Sequence, residues 1–271
     1  MKVKWSNVGF WLIVIVLSLY LIAPLYVLIK ISISGGKDVF TAHPSFLVHD
    51  FTWKHWSKVL ASGYLWPSLR RSLIVATATT VVAVIIAAPA AYVISRLPRG
   101  TKYVTVLALF FTRMFPEVSL ALPIAVNFIK WGMMDTHVGL VLAHLIMALP
   151  FVAWVLVGTY ETIPVDLEEA ACVDGAGKIG TLMRVVLPLA APGIAVAAIF
   201  TWLMSWNEFT YALYLSLSTR TLPLLTYYYS QRGGFFDAPT YATILTIPVF
   251  IVTLFLQRWM RTGYLAGAVK G

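Results

Sequence analysis

Residues 161–193 read ETIPVDLEEAACVDGAGKIGTLMRVVLPLAAPG. This stretch combines charges of both signs with helix starts and stops, and it lies between two apolar runs that are each able to cross a bilayer. Pro164 suits a first helical turn, where its missing N–H has no partner to lose, and Asp166, Glu168 and Glu169 put negative charge near the positive helix end. Gly175 can take the left-handed conformation that closes a helix, so the first helix is expected to end near Asp174. In the next helix Ile179, Leu182, Met183 and Val186 fall at i, i+3, i+4 and i+7 and are expected to form one apolar face. Pro188 and Pro192 are expected to stop that helix and turn the chain into the following apolar run. The whole stretch reads as a folded surface element.

Outward from it, the 271 residues are 60% hydrophobic and 11% charged, with a mean hydropathy of +0.83. Soluble domains carry about 25% charged residues, so an integral membrane protein is expected. The net charge of +9 comes with no dense basic run or stacking module, which argues against nucleic acid and for anionic lipid and the positive-inside bias. The single Cys172 allows no intrachain disulfide and has no metal-ligand companions, so no metal site is expected. Phosphate-cradling, nucleophile-elbow and zinc-protease motifs are absent, so no catalysis is expected and energy must come from a partner or an ion gradient.

Apolar runs at about 8–31, 72–95, 103–128, 137–159, 193–214 and 241–257 each approach the roughly 20 residues a spanning helix needs. The expected fold is an all-α integral membrane protein, a single domain over 1–271 with six transmembrane helices and a loop over 160–192. An even number puts both termini on one side, which Lys2, Lys4, Arg96, Arg99, Lys102, Lys178, Arg184, Arg258, Arg261 and Lys270 mark as cytoplasmic. Lys37, Lys54, Lys58, Arg70 and Arg71 oppose this from the first outer loop, whose length weakens their vote. That loop, 32–71, is expected to be exposed and to end in an interfacial helix with Trp53 and Trp56 at headgroup level. Pro89, Pro116, Pro123, Pro150 and Pro248 fall inside the spans, where each frees a carbonyl that a neighbouring helix, a side chain or water must meet.

Arg113 and Glu117 lie in the third run, and Trp206, Asn207 and Glu208 in the fifth. A charge at the bilayer centre costs at least about 2.5–3.5 kcal/mol, so these groups face partners or a watery cavity. Arg113 can pair with Glu117 at i+4 or with Glu208 from the other span, and the set can serve as interhelical locks or line a substrate path. His144 reads as a packing residue. The segment 220–237, with its tyrosine triplet and Gly233-Gly234, reads as a flexible aromatic loop that anchors at the interface or guides a sugar by stacking.

Glu169-Ala170-Ala171, Asp174-Gly175-Ala176, Leu187-Pro188-Leu189 and Pro192-Gly193 together resemble the "EAA" loop of the membrane-spanning permeases of ATP-binding-cassette importers. Met114-Phe115-Pro116, Trp206-Asn207 and the closing residues 267–271 are similar to the maltose-type carbohydrate permeases, so the resemblance spans nearly the whole chain. It implies a type I importer permease fold in the inner or plasma membrane, with a cytoplasmic coupling helix that docks on an ATPase through Glu168, Glu169, Ala170, Ala171, Asp174, Gly175, Ala176 and Pro188. It further implies a second permease, usually forming a heterodimer, two ATPase subunits that bind the ATP and Mg, an extracytoplasmic solute-binding protein, and no cofactor in this chain. Arg71 departs from the pattern, since such permeases commonly have asparagine before Ser72. The rival reading is an ion-coupled secondary transporter, which inverted repeats would favour; none is evident in the sequence. A non-transporting scaffold or enzyme is the third.

Overall fold

The computed structural model describes residues 5–232 and 234–267, with side chains over 9–232 and 234–255. Lys2, Lys4, Gly233, Lys270 and the rest of 268–271 lie outside the described residues, as do the side chains of Arg258 and Arg261. The helices are α1 (Trp5–Ile33), α2 (Gly36–Val39), α3 (Lys54–Leu60), α4 (Leu65–Ser95), α5 (Arg99–Phe111), α6 (Glu117–Lys130), α7 (His137–Glu161), α8 (Val165–Val173), α9 (Lys178–Thr181), α10 (Leu187–Trp206), α11 (Thr210–Leu215), α12 (Leu222–Gln231) and α13 (Asp237–Gly267). Extended pairing among the described residues is confined to one β-bridge, Ser34 with Phe51.

Five helices are long and apolar enough to span a bilayer: Gly9–Ile33, Leu65–Ser95, His137–Glu161, Lys178–Trp206 and Asp237–Phe255. The sixth expected span, 103–128, is a broken one in which Arg99–Met114 and Glu117–Lys130 meet at 82°. The cause lies in Pro116: Phe115 before it is extended (φ −74°, ψ 131°), and Pro116 itself (ψ 132°) becomes the N-cap of α6. Pro89, Pro150 and Pro248 stay inside continuous helices.

Other boundaries also moved. The helix of the second span starts at Leu65 where the sequence reading had loop; the Ser62 hydroxyl accepts the Leu65 N–H (3.3 Å), and Pro67 fits the first turn. The run 193–214 is interrupted at 207–209, between α10 and α11. The tyrosine triplet belongs to α12 and is not a flexible loop.

By packing, the chain falls into two compact units, one built from residues up to Trp66 with Leu225–Pro248, the other from Pro67–Leu224 with the chain from Val249. In the first, Lys58 pairs with Asp237 (2.7 Å), Ser62 and Tyr241 hydroxyls bond (2.9 Å), and His55 stacks on Phe236 (4.2 Å). The Asp38 carboxylate accepts the N–H groups of Asp50 (2.8 Å) and His49 (2.7 Å), which hold it below the ordinary carboxylate range. Trp53 and Trp56 stack at 5.1 Å, with Trp56 on α3. In the second unit α7 packs on α10, α5 on α7, and α11 on α6 and α7. Its core is rich in alanine (Ala83, Ala87, Ala91, Ala148, Ala190, Ala197), because in lipid helices associate through close backbone approach and not through expelled water. Gly193 shows how close: a Cβ there would lie 2.3 Å from the Thr159 hydroxyl on α7.

Candidate functional site

The stretch 161–193 folds much as its residues dictate. α8 starts behind Pro164 as N-cap and ends at Val173, with Gly175 at φ +87°. The second half differs from expectation. α9 does not end at Pro188 but continues through a π-helical turn, Leu182–Val186, directly into α10, and Pro192 lies inside α10. A proline ring at 188 collides with the carbonyl four residues back in a regular helix, and widening the turn to i→i+5, with the Leu187 N–H on the Leu182 carbonyl, relieves that contact without ending the helix. Nor do the four apolar residues form one face: Val186 is buried, Leu182 half-buried, while Ile179 and Met183 are exposed.

Glu168 and Glu169, adjacent in sequence, do different things. Glu168 is buried: one carboxylate oxygen accepts the Tyr92 hydroxyl (2.6 Å), the other accepts two N–H groups of Arg96. Arg96 also donates to the Ile163 carbonyl (3.3 Å). This clamp ties α8 to the end of α4, and Lys102 to Glu161 (2.6 Å) ties α5 to α7 nearby. Glu169, Ala170, Asp174 and Gly175 are exposed, Ala171 and Ala176 half-buried, and Pro188 exposed. Val173 (88% exposed) and Ile179 (79%) add uncovered apolar surface beside them. The sequence reading missed Tyr92 and Arg96, whose i, i+4 spacing at a span's end was the available signal.

The intramembrane residues are arranged otherwise than the sequence suggested. Arg113 and Glu117 stand on opposite sides of the 82° break and share no helical face. Among the described residues neither forms an ion pair with the other, and Arg113 reaches across to the Met204 sulfur of α10 (3.7 Å), not to Glu208. Glu208 accepts the N–H groups of Tyr211 (2.6 Å) and Ala212 (3.1 Å), capping α11 after the break. Its partner is His144, which proved more than a packing residue. Nδ1 bonds the Ser205 hydroxyl (2.7 Å), and Nε2 lies 3.1 Å from Glu208, off line for a hydrogen bond. Glu117 and Glu208 both lie within electrostatic reach of Tyr211. Trp206 is fully buried and stacks on Trp202 (5.0 Å), whereas Asn207 is exposed, donating to the Leu203 carbonyl (2.8 Å).

Arg71, the odd residue in the sequence, is buried and donates to Asp135 (2.9 Å). Asp135, at φ 59°, also accepts the N–H groups of Leu217 (3.1 Å) and Ser218 (2.9 Å) and the Ser218 hydroxyl. Burial pushes its carboxyl up, but the bonds from Ser218 and Leu217 and the Arg71 charge outweigh that and hold it below the ordinary carboxylate value.

Comparison with known proteins agrees with this geometry. The trehalose transport system permease protein SugB of Mycobacterium tuberculosis (strain CDC 1551 / Oshkosh) is 35% identical over 211 residues, covering 75% of this chain and 77% of that protein. The diacetylchitobiose uptake system permease protein DasC of Streptomyces coelicolor (strain ATCC BAA-471 / A3(2) / M145) is 29% identical over 271 residues, covering 98% and 97%. In fold, the chain is similar to a chain of a bacterial ABC transporter involved in import of the acidic polysaccharide alginate, with a TM-score of 0.76 at 23% identity over 95% of this chain and 99% of that one. The family profile that describes the binding-protein-dependent transport system inner membrane component matches residues 80–264, a range that holds α8, the π turn and the α10–α11 break, and the chain belongs to that family.

Proposed function

We propose that this chain is the permease subunit of an ATP-binding-cassette importer for a sugar or oligosaccharide, working with a second permease, two ATPase subunits and an extracytoplasmic solute-binding protein. The names of its relatives support the carbohydrate, and the family's dependence on a binding protein supports the delivery route. In this reading ATP and Mg belong to the ATPase subunits, which carry out hydrolysis; α8 and both termini face the cytoplasm.

The observation that carries the proposal is the division of labour on α8. Glu168 is locked inward by Arg96 and Tyr92, leaving Glu169, Ala170 and the apolar Val173 and Ile179 outward. A groove on an ATPase that grips the outward set moves a rigid body. Through Glu168 the displacement reaches α4, and through the unbroken α9–α10 rod it reaches the neighbourhood of Trp206, Asn207 and Glu208. Different contacts with two ATPase states make this coupling possible. Along the substrate path Arg113, Glu117 and Asn207 offer polar groups, while Glu208 and Trp206 fix the break in the backbone.

Gly175→Pro tests it. Proline cannot take φ +87° and removes the N–H that bonds the Cys172 carbonyl (3.0 Å). ATP-dependent sugar uptake is expected to collapse while the chain remains membrane-inserted; uptake at the normal rate overturns the reading. Uptake that follows an ion gradient without an ATPase would favour the secondary-carrier alternative.

A further inference from the structure

α5 and α7 diverge at one end to leave an open groove of about 560 Å³, with Arg99, Lys102 and Tyr103 on the α5 side and Trp154, Gly158 and Glu161 on the α7 side. α5 begins at Arg99 and α7 ends at Glu161, so the mouth lies at the level where two candidate spans reach water. Deeper in, the groove is apolar: Trp154 closes edge-on against Phe110 (5.6 Å), and a Cβ placed on Gly158 would meet nothing within 4 Å.

The charges at the mouth are unequal. Lys102 and Glu161 neutralise each other at 2.6 Å. Among the described residues Arg99 has no hydrogen bond or ion pair, and it leaves the mouth with one uncompensated guanidinium. A guanidinium fork matches phosphate oxygens in two-point geometry, where an ammonium offers a point charge. Tyr103 and Trp154 flank it with the amphipathic rings that settle at headgroup depth. We propose that this groove is a binding site for an anionic phospholipid, with the phosphate on Arg99 and the upper part of an acyl chain lying over Gly158. Charge complementarity at the mouth and an apolar floor below it describe one molecule with a charged head and a hydrocarbon tail.

Native mass spectrometry of the purified complex tests this with phosphatidylglycerol and phosphatidylethanolamine of equal chain length, and with inorganic phosphate as competitor. Phosphatidylglycerol is expected to be retained about five-fold more than phosphatidylethanolamine, the factor one basic residue near an anionic headgroup gives. Arg99→Gln should abolish that preference and Arg99→Lys restore part of it; Gly158→Trp should lower retention of both lipids. Equal retention of the two lipids by the unaltered protein, or a preference unchanged by Arg99→Gln, overturns the proposal. Competition by inorganic phosphate as strong as by phosphatidylglycerol overturns it in favour of a free-anion site. Efficient crosslinking of Gly158→Cys to another subunit overturns it in favour of a protein contact.

Discussion

Asp135 joins three chain segments through one carboxylate: the start of α4 through Arg71, its own turn before α7, and the strand of loop at 217–218. Its left-handed backbone suits aspartate and asparagine alike, so Asp135→Asn removes the charge without disturbing the turn. Leaving Arg71 buried without its counter-ion is expected to cost about 3 kcal/mol, read as a lower thermal midpoint in detergent. Adding Arg71→Met should recover most of it. The pH dependence has a fixed sign. Because the folded carboxyl is held below its ordinary 3.8, its stabilisation is complete above that value and is lost as pH falls through the lower folded value. Thermal scans of the Asp135→Asn variant should be flat in that window where the parent protein declines. Arg71 was legible in the sequence as a misfit, but its partner was not, since no periodicity relates residues 64 positions apart.

Elements with clean signals were read correctly: the caps of α8, the run that became α7, the glycine at 175. Prolines were legible only as disturbances, because the same missing N–H ended a helix at Pro116, was absorbed at Pro150, and produced a wide turn ahead of Pro188. What decides among these outcomes is tertiary packing, which a single sequence does not display. The α7–α10 contact is one such decision. Gly193→Leu should force these helices apart and destabilise by about 1–3 kcal/mol, measured as a fall in thermal midpoint. Gly193→Ala should cost less when Thr159→Ala is added, which removes the two side-chain atoms at 2.3 and 2.4 Å.

For the whole molecule, membrane insertion and the family followed from composition and one motif, whereas the division into two packing units left no mark in the sequence. Two measurements address the working assembly. Cys172 is the chain's single cysteine, exposed on α8, and so reports sidedness. A membrane-impermeant maleimide is expected to spare it in intact cells and to label it in inside-out vesicles once the ATPase has been stripped. Glu168→Gln weakens the charge-assisted bonds that fasten α8 to α4, worth about 1.5–3 kcal/mol. In purified complexes, nucleotide hydrolysis is expected to persist while uptake per ATP falls.

The wide turn at Leu182–Val186 has a rotational consequence. It holds one residue more than a regular turn, and each residue of an α-helix advances its faces by about 100°. Deleting a single residue there would restore ordinary pitch and spin Leu187–Trp206 by that angle relative to α8, carrying the Ser205 hydroxyl away from His144. The extra residue thus sets the phase between the chain's inner ledge and its buried histidine, fixing which side of a twenty-residue rod meets which neighbour.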